Sequence, residues 1–438
     1  MKPKVIFVYP ATSRDSVPPL LGSLEKAELL DEIEVHLVTL SEANVIDSVS
    51  EVISQTRNSK TKTIIAVSFL TPEVKLVGRF VELVKTKIKE KALFVAGGPH
   101  ASGDPLGTLK LLSFDIVIVG EGERSFVDLV NNFIVEEELY DVRGLAYLDP
   151  SGELTINESL TPVNLDEYPP YSLTLRICPN SLEIMRGCPF TCEFCQTPRL
   201  MGFRPRYRSI KAIIEILEVY VKEFKRRRVK FLAPNGFAYG SKSGTRPELE
   251  KLEDLLEAVK SVEGIKEVHL GVFPSEVRPD FVTPEVLEVV SKYIDNRKLC
   301  IGAQSGSDRV LEKVRRGHDV ETWLKAVNLA VRFGFRPYVD FLFGLPYEIE
   351  DDLKLTLKAM RELMRRRIKM RAHTFMPLPG TPLWRFRSKK LPKWFKERLN
   401  KWERGGYVEG DYRIQEEKIN PIIEEYKKEL FKLTLNEV

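Results

Sequence analysis

The run Arg186-Gly187-Cys188-Pro189-Phe190-Thr191-Cys192-Glu193-Phe194-Cys195 decides how this chain is read. Its spacing is C-x3-C-x2-C, and three of the five cysteines in the chain fall within eight positions. A closed structural zinc site takes four protein ligands, commonly as C-x2-C pairs with a later His or Cys pair. Here no fourth cysteine is near, and the next histidine is His269. Three thiolates on one short loop can instead hold three irons of a cubane iron–sulfur cluster and leave the fourth iron open. An open iron is a place for a small molecule to bind and react. Cys300, in the apolar run Lys298-Leu299-Cys300-Ile301-Gly302, reads as a buried strand residue, and Cys178, in a linker, as structural.

Around this run, residues 173–376 repeat strand, helix, strand. The apolar strand candidates are 181–185, 229–233, 267–273, 298–304, 336–343 and 370–376. Helical periodicity covers 209–227, 248–262, 284–293, 323–333 and 351–366. Six strands with five intervening helices predict a partial barrel, whose catalytic groups gather at the C-terminal strand ends. The cysteine run follows the first strand and so falls on that face.

Residues 1–140 alternate in the same way, with β-rich runs at 5–9, 34–40, 63–69, 92–96 and 115–119 and a helical pattern over 72–89. That alternation predicts a Rossmann-like parallel sheet covered by helices on both faces. Ligands of such sheets bind at the carboxyl ends of the strands. Two glycine-rich turns lie there, Gly97-Gly98-Pro99-His100-Ala101-Ser102-Gly103 and Gly120-Glu121-Gly122-Glu123-Arg124. Residues 141–172 read as a hairpin around Pro150-Ser151-Gly152, then a proline-containing linker from 159 to 172.

The cysteine run resembles the signature of the radical SAM superfamily. The resemblance implies a 4Fe–4S cluster on Cys188, Cys192 and Cys195, S-adenosylmethionine on the open iron, and Phe194 near the adenine. It also implies that reductive cleavage gives a 5′-deoxyadenosyl radical, fed by a ferredoxin- or flavodoxin-like electron donor. Later runs match in order: Gly302-Ala303-Gln304-Ser305-Gly306-Ser307, Arg316-Gly317-His318, Phe343-Gly344-Leu345-Pro346 and Met376-Pro377-Leu378-Pro379-Gly380-Thr381-Pro382. They imply contacts to S-adenosylmethionine from Gln304, Ser305 and Gly344; Gln304 stands where the family has a glutamate. Asn235, in Pro234-Asn235-Gly236-Phe237, is the candidate for the methionyl part, where the family often has acidic residues.

The two glycine turns resemble the cobalamin-binding domain that precedes many radical SAM barrels, which points to Gly97, Gly98, His100, Gly120, Glu121 and Gly122. The D-x-H-x-x-G run that supplies a histidine to cobalt is absent; Tyr9-Pro10-Ala11-Thr12-Ser13-Arg14 stands in its place. Two readings stay open: cobalamin held without a protein ligand to cobalt, or a domain that has lost it. The combined resemblance implies a methyltransferase acting on an unactivated carbon through cobalamin. The alternative is a cobalamin-independent radical enzyme acting on RNA, a lipid or a small molecule. Methylthiolating relatives carry cysteines in the N-terminal domain, and this chain has none before Cys178.

The domain reading is thus 1–140, 141–172, 173–381 and a basic, aromatic helical extension over 382–438. In that extension, residues 385–404 hold nine basic side chains against Glu397 and Glu403, with Trp384, Trp394 and Trp402 in or beside them. Such a stretch either docks an amphipathic helix on the barrel or holds phosphates and stacks bases; docking is favoured over a nucleic-acid partner. The runs Lys225-Arg226-Arg227-Arg228 and Arg365-Arg366-Arg367 are expected to end helices, where cations suit the dipole. The 438 residues suggest two or three domains, and a net charge of +4 is too small to name a polyanionic partner. Nothing approaches the ~18 consecutive apolar residues of a membrane span. No signal-peptide pattern precedes the first strand, and the cysteines are few and clustered, so a reducing cytoplasm is expected. High Lys and Glu with four Gln points to a thermophilic source.

Overall fold

The computed structural model describes residues 2–57, 62–88, 92–158 and 162–435. The chain forms two units, one of residues 1–180, 378–380 and 422–438, the other of 181–377 and 381–421. Positions 89, 159–161 and 436–438, which end the expected 72–89 helix, open the expected linker and close the extension, lie outside the described residues.

The first unit is built on a seven-stranded sheet of order β2-β1-β3-β4-β5-β6-β7. Its strands are β1 (Lys4–Pro10), β2 (Glu34–Leu40), β3 (Thr63–Ser68), β4 (Ala92–Gly97), β5 (Ile116–Ile118), β6 (Leu145–Leu148) and β7 (Leu154–Ile156). The first five are parallel, and the β6–β7 hairpin adds antiparallel at the β5 edge. The apolar runs are continuous rather than alternating because helices cover both faces. One face buries Phe7, Leu21, Phe126 and Leu129 in a common cluster, with Phe7 and Phe126 rings 5.3 Å apart. Burying such side chains contributes about 1.5–3 kcal/mol each. The final helix Asn420–Leu435 packs from residue 422 onward with this unit.

The second unit holds β8 (Leu182–Glu183), β9 (Met185–Arg186), β10 (Arg206–Tyr207), β11 (Arg228–Leu232), β12 (Glu267–His269), β13 (Lys298–Gln304), β14 (Arg336–Phe343), β15 (Lys369–Thr374) and β16 (Val408–Glu409). Two parallel sheets form, β12-β11-β8 and β13-β14-β15-β16, linked by one parallel bridge between Val277 and Ile301. Helices Ile210–Lys222, Leu249–Ser261, Pro284–Tyr293, Val320–Arg332 and Glu350–Arg365 connect the successive strands. Several begin at sequence-encoded caps: Ser209 accepts from the Ala212 amide (3.1 Å) and Asp319 from the Thr322 amide (2.8 Å).

Four differences from the sequence expectations have local causes. The 181–185 strand splits at Ile184, whose backbone serves both Leu232 and Arg208, so β9 turns away to pair with β10. The 267–273 strand stops at His269, and Gly271 then takes a φ of 75°. The 209–227 helix ends at Lys222, with Lys225 at φ 56°, so the basic run forms the turn into β11 rather than a helix end. The 382–438 segment does not pack as one piece; it divides between the two units at residue 421.

Candidate active site

The cysteine loop leaves β9 through Gly187, where a φ of 84° and the Arg204 carbonyl oxygen, which would lie 2.5 Å from an added Cβ, admit only glycine. The loop is pinned by its backbone. The Cys188 amide donates to Gly202 (3.1 Å), the Cys195 amide to Cys192 (3.2 Å) and the Glu193 amide to Val314 (3.0 Å). Arg199 donates to the carbonyls of Cys192 and Cys195, 3.2 Å each. Nothing in the sequence pattern singled out Arg199.

All three cysteines line one cavity of about 210 Å³, together with Phe194, Gln304, Arg278, Arg316 and Asp340. Burial, and then the neighbouring thiols, push the Cys188 thiol up to about 11; burial likewise raises Cys195. Thiols so placed become thiolates when a metal replaces the proton. Among the described residues no three His, Cys, Asp or Glu side chains draw close enough to ligate one metal ion. Three thiols set around a cavity suit a multi-iron group that spans them better than a single tetrahedral ion.

Gln304 ends β13 at a bulge, where the register with β14 shifts between Gly302 and Gln304, and holds a φ of 70°. The bulge re-aims its side chain toward the cavity. Phe194 lines the same cavity while its ring packs against Val310, Leu345 and Phe375. The structure does not bring the other sequence candidates to the cavity lining. Ser305 is buried, accepting from the Ser307 amide (3.2 Å), while its carbonyl takes the Trp323 indole N–H (3.1 Å). Gly344, at φ 74°, donates to Glu348 Oε2 (2.7 Å). Asn235 is buried next to the lining residue Pro234; its Oδ1 accepts from the Arg278 amide (3.2 Å), and its Nδ2 has no partner.

Three charged features of the cavity were not among the sequence candidates. Arg316 donates through Nη1 to Cys192 Sγ (3.6 Å), through Nη2 to the Gly302 carbonyl (3.0 Å) and through Nε to His318 Nε2 (3.1 Å). Burial, then Arg316, pushes His318 down to about 3, so it stays neutral and accepts. Arg278 is 4% exposed, lies 3.4 Å over the Phe190 ring and pairs with Asp280 (3.0 Å). Asp340 receives Arg371 in two bonds of 2.6 and 2.7 Å, and Arg371 also reaches Glu276 (3.0 Å). Burial raises the Asp340 carboxyl, and Arg371 pulls it part of the way back. A charged residue inside each of two apolar strand runs, paired in register, was the available signal for Asp340 and Arg371.

In the first unit, the two glycine turns sit at the C-terminal ends of β4 and β5. Gly98 holds a φ of 89°, and a Cβ there would lie 2.9 Å from the Phe69 carbonyl. A Cβ on Gly97 would meet nothing within 4 Å, so that edge is open. Ser102 ties the turns together, accepting from the Gly120 amide (3.0 Å). Gly122 approaches Leu20, and Glu121 accepts from the Val163 amide (2.8 Å). His100 is fully buried, with Nδ1 3.2 Å from Thr71 Oγ1 and Nε2 unpartnered, and its ring lies tilted against Phe69 and edge-on to Tyr426. Burial lowers it to about 3. His36 lies within β2, paired with Glu34 (2.8 Å). Neither histidine occupies the turn after β1, so a corrinoid on this edge fits the glycine backbone but finds no histidine there for its cobalt.

Residues 182–360 match the family model of the radical SAM superfamily, and residues 21–130 that of the B12 binding domain. An uncharacterized protein of Methanocaldococcus jannaschii is 27% identical over 76% of this chain and 72% of its own length. An uncharacterized methyltransferase of Pyrococcus horikoshii is 27% identical over 69% of this chain and 64% of its own length. Among solved structures, the radical S-adenosylmethionine methyltransferase TsrM of Kitasatospora setae, with cobalamin and a 4Fe–4S cluster bound, shares the fold at a TM-score of 0.66 and 14% identity. That likeness covers 87% of this chain and 74% of TsrM. No helix among the described residues is long and apolar enough to cross a membrane.

Proposed function

We propose, because residues 182–360 match the radical SAM superfamily and residues 21–130 the B12 binding domain, that the protein methylates an unactivated carbon of its substrate. Bound at these sites, the cluster and S-adenosylmethionine supply reductive cleavage to a 5′-deoxyadenosyl radical, and cobalamin supplies a methyl group. The observation that carries the reading is the single cavity shared by Cys188, Cys192, Cys195, Phe194 and Gln304.

The family resemblance supplies the roles, and the shared cavity supports them for Cys188, Cys192, Cys195, Phe194 and Gln304. The three cysteines would hold the iron–sulfur cluster. Gln304 lines the cavity, where its amide oxygen would accept from a ribose hydroxyl. Phe194 offers an apolar face to the adenine. Arg316 donates to Cys192, and Asp340 and Glu276, both held by Arg371, give the cavity a polar wall that would orient whatever enters. Gly97, Gly98 and Gly120 let a large planar ligand approach the backbone of the first unit. A one-electron donor of the ferredoxin or flavodoxin kind completes the system.

A second reading drops cobalamin and keeps the radical chemistry on RNA, a lipid or a small molecule. The missing histidine after β1 favours it. Anaerobic reconstitution with iron, sulfide and cobalamin separates the two. Cobalt retained in about equal amount to protein after desalting, with loss on Gly98→Val, supports the methyl-transfer reading. No cobalt retained, together with 5′-deoxyadenosine formed, leaves the second.

A further inference from the structure

The groove between helices Glu350–Arg365 and Lys393–Arg404 lies apart from the cysteine cavity, although both belong to the second unit. It measures about 590 Å³ and is lined by Lys354, Lys358 and Arg361 from the first helix and Trp394, Arg398 and Lys401 from the second. The second helix sorts its side chains cleanly. Phe395, Leu399 and Trp402 are buried, which accounts for its docking. Docking does not account for Trp394, 37% exposed, or for the exposed cations beside it.

The charges of the groove are largely unanswered. Lys354 is held by Glu350 (3.3 Å) and Asp351 (3.0 Å), and Glu397 is the carboxylate among the lining residues. Lys358, Arg361, Arg398 and Lys401 have no side-chain hydrogen bond or ion pair among the described residues. Cations from two helices therefore face one groove in which Glu397 is the one lining carboxylate among the described residues, an excess of positive charge that a polyanion relieves.

We propose that this groove binds a single-stranded segment of RNA, with phosphates on Lys358, Arg361, Arg398 and Lys401 and a base stacked on Trp394. A free phosphate uses the cations and leaves the indole idle. A duplex offers phosphates but no free base face. An unpaired strand uses both features, and unpaired bases are what proteins usually read in RNA.

The test is binding of a short, unstructured, fluorescently labelled RNA to the reconstituted full-length protein at several salt concentrations. Single-strand binding weakens with salt by a log–log slope of about 0.7 per phosphate contact, so replacing all four cations with alanine should flatten it by about 3. Trp394→Ala should weaken binding roughly tenfold with the slope unchanged, and Trp394→Phe should recover most of that loss. Should the fourfold variant fail to fold, Arg398→Ala alone should flatten the slope by about 0.7. An unchanged slope, no effect of Trp394→Ala, or tighter binding of heparin or of DNA of the same sequence overturns the proposal. The assay reads binding alone, so its failure and a failure of the radical chemistry are separate results.

Discussion

Arg316 sets its Nη1 3.6 Å from Cys192 Sγ while its other nitrogens are held by Gly302 and His318. A fixed cation that donates to a cluster sulfur stabilises the more negative, reduced state. Arg316→Leu should therefore shift the cluster potential to more negative values, on the order of 100 mV, if the lost bond is worth about 1.5–3 kcal/mol. A redox titration followed by electron paramagnetic resonance measures it. An unchanged potential at full iron content would show that the contact does not reach the cluster.

Glu348 ties the turn after β14 to the Gly344 amide, and burial pushes its carboxyl up to about 8 against the bonds and Lys389 that lower it. Its Oε1 has no partner, and Asp352 nearby adds repulsion. A folded value above the unfolded one means the folded state binds the extra proton. Stability is then full below the unfolded pKa, near 4.5, and falls as pH rises toward about 8. At about 1.4 kcal/mol per pH unit that loss is at most about 5 kcal/mol. Glu348→Gln should flatten the dependence and melt higher than the parent above pH 8; thermal melts across pH check both.

Gly98→Ala adds a Cβ 2.9 Å from the Phe69 carbonyl at a φ of 89°. The cost should be about 1–3 kcal/mol, read by chemical denaturation. Gly97→Ala meets open space and extended backbone, so it should leave stability within about 0.5 kcal/mol. If the glycine edge holds cobalamin, Gly97→Ala should still weaken its retention, because the new methyl occupies the ligand's side of the turn.

Much of this architecture was legible because its signals are local. The apolar runs of β1, β13 and β14 stand within a residue or two of their expected places, since buried parallel strands need uninterrupted apolar residues. The cysteine loop was legible because three ligands crowd one turn. The rest depends on contacts between distant segments. Arg316 meets Cys192 across 124 positions, and Asp340 meets Arg371 across 31, so no spacing rule reports them. The break at Ile184 was hidden because its backbone partners, Leu232 and Arg208, lie elsewhere in the chain. In 385–404 the composition named both faces of the helix at once, and only burial of Phe395, Leu399 and Trp402 tells the docked face from the basic one.

The central claim is that Cys188, Cys192 and Cys195 hold a cluster whose open iron takes S-adenosylmethionine. The most direct measurement is the yield of 5′-deoxyadenosine from anaerobically reconstituted protein given S-adenosylmethionine and a strong one-electron reductant. The account predicts 5′-deoxyadenosine from the parent and none from Cys192→Ala, whose iron content should also fall. No 5′-deoxyadenosine from a fully reconstituted parent, or an equal yield from Cys192→Ala, would contradict it.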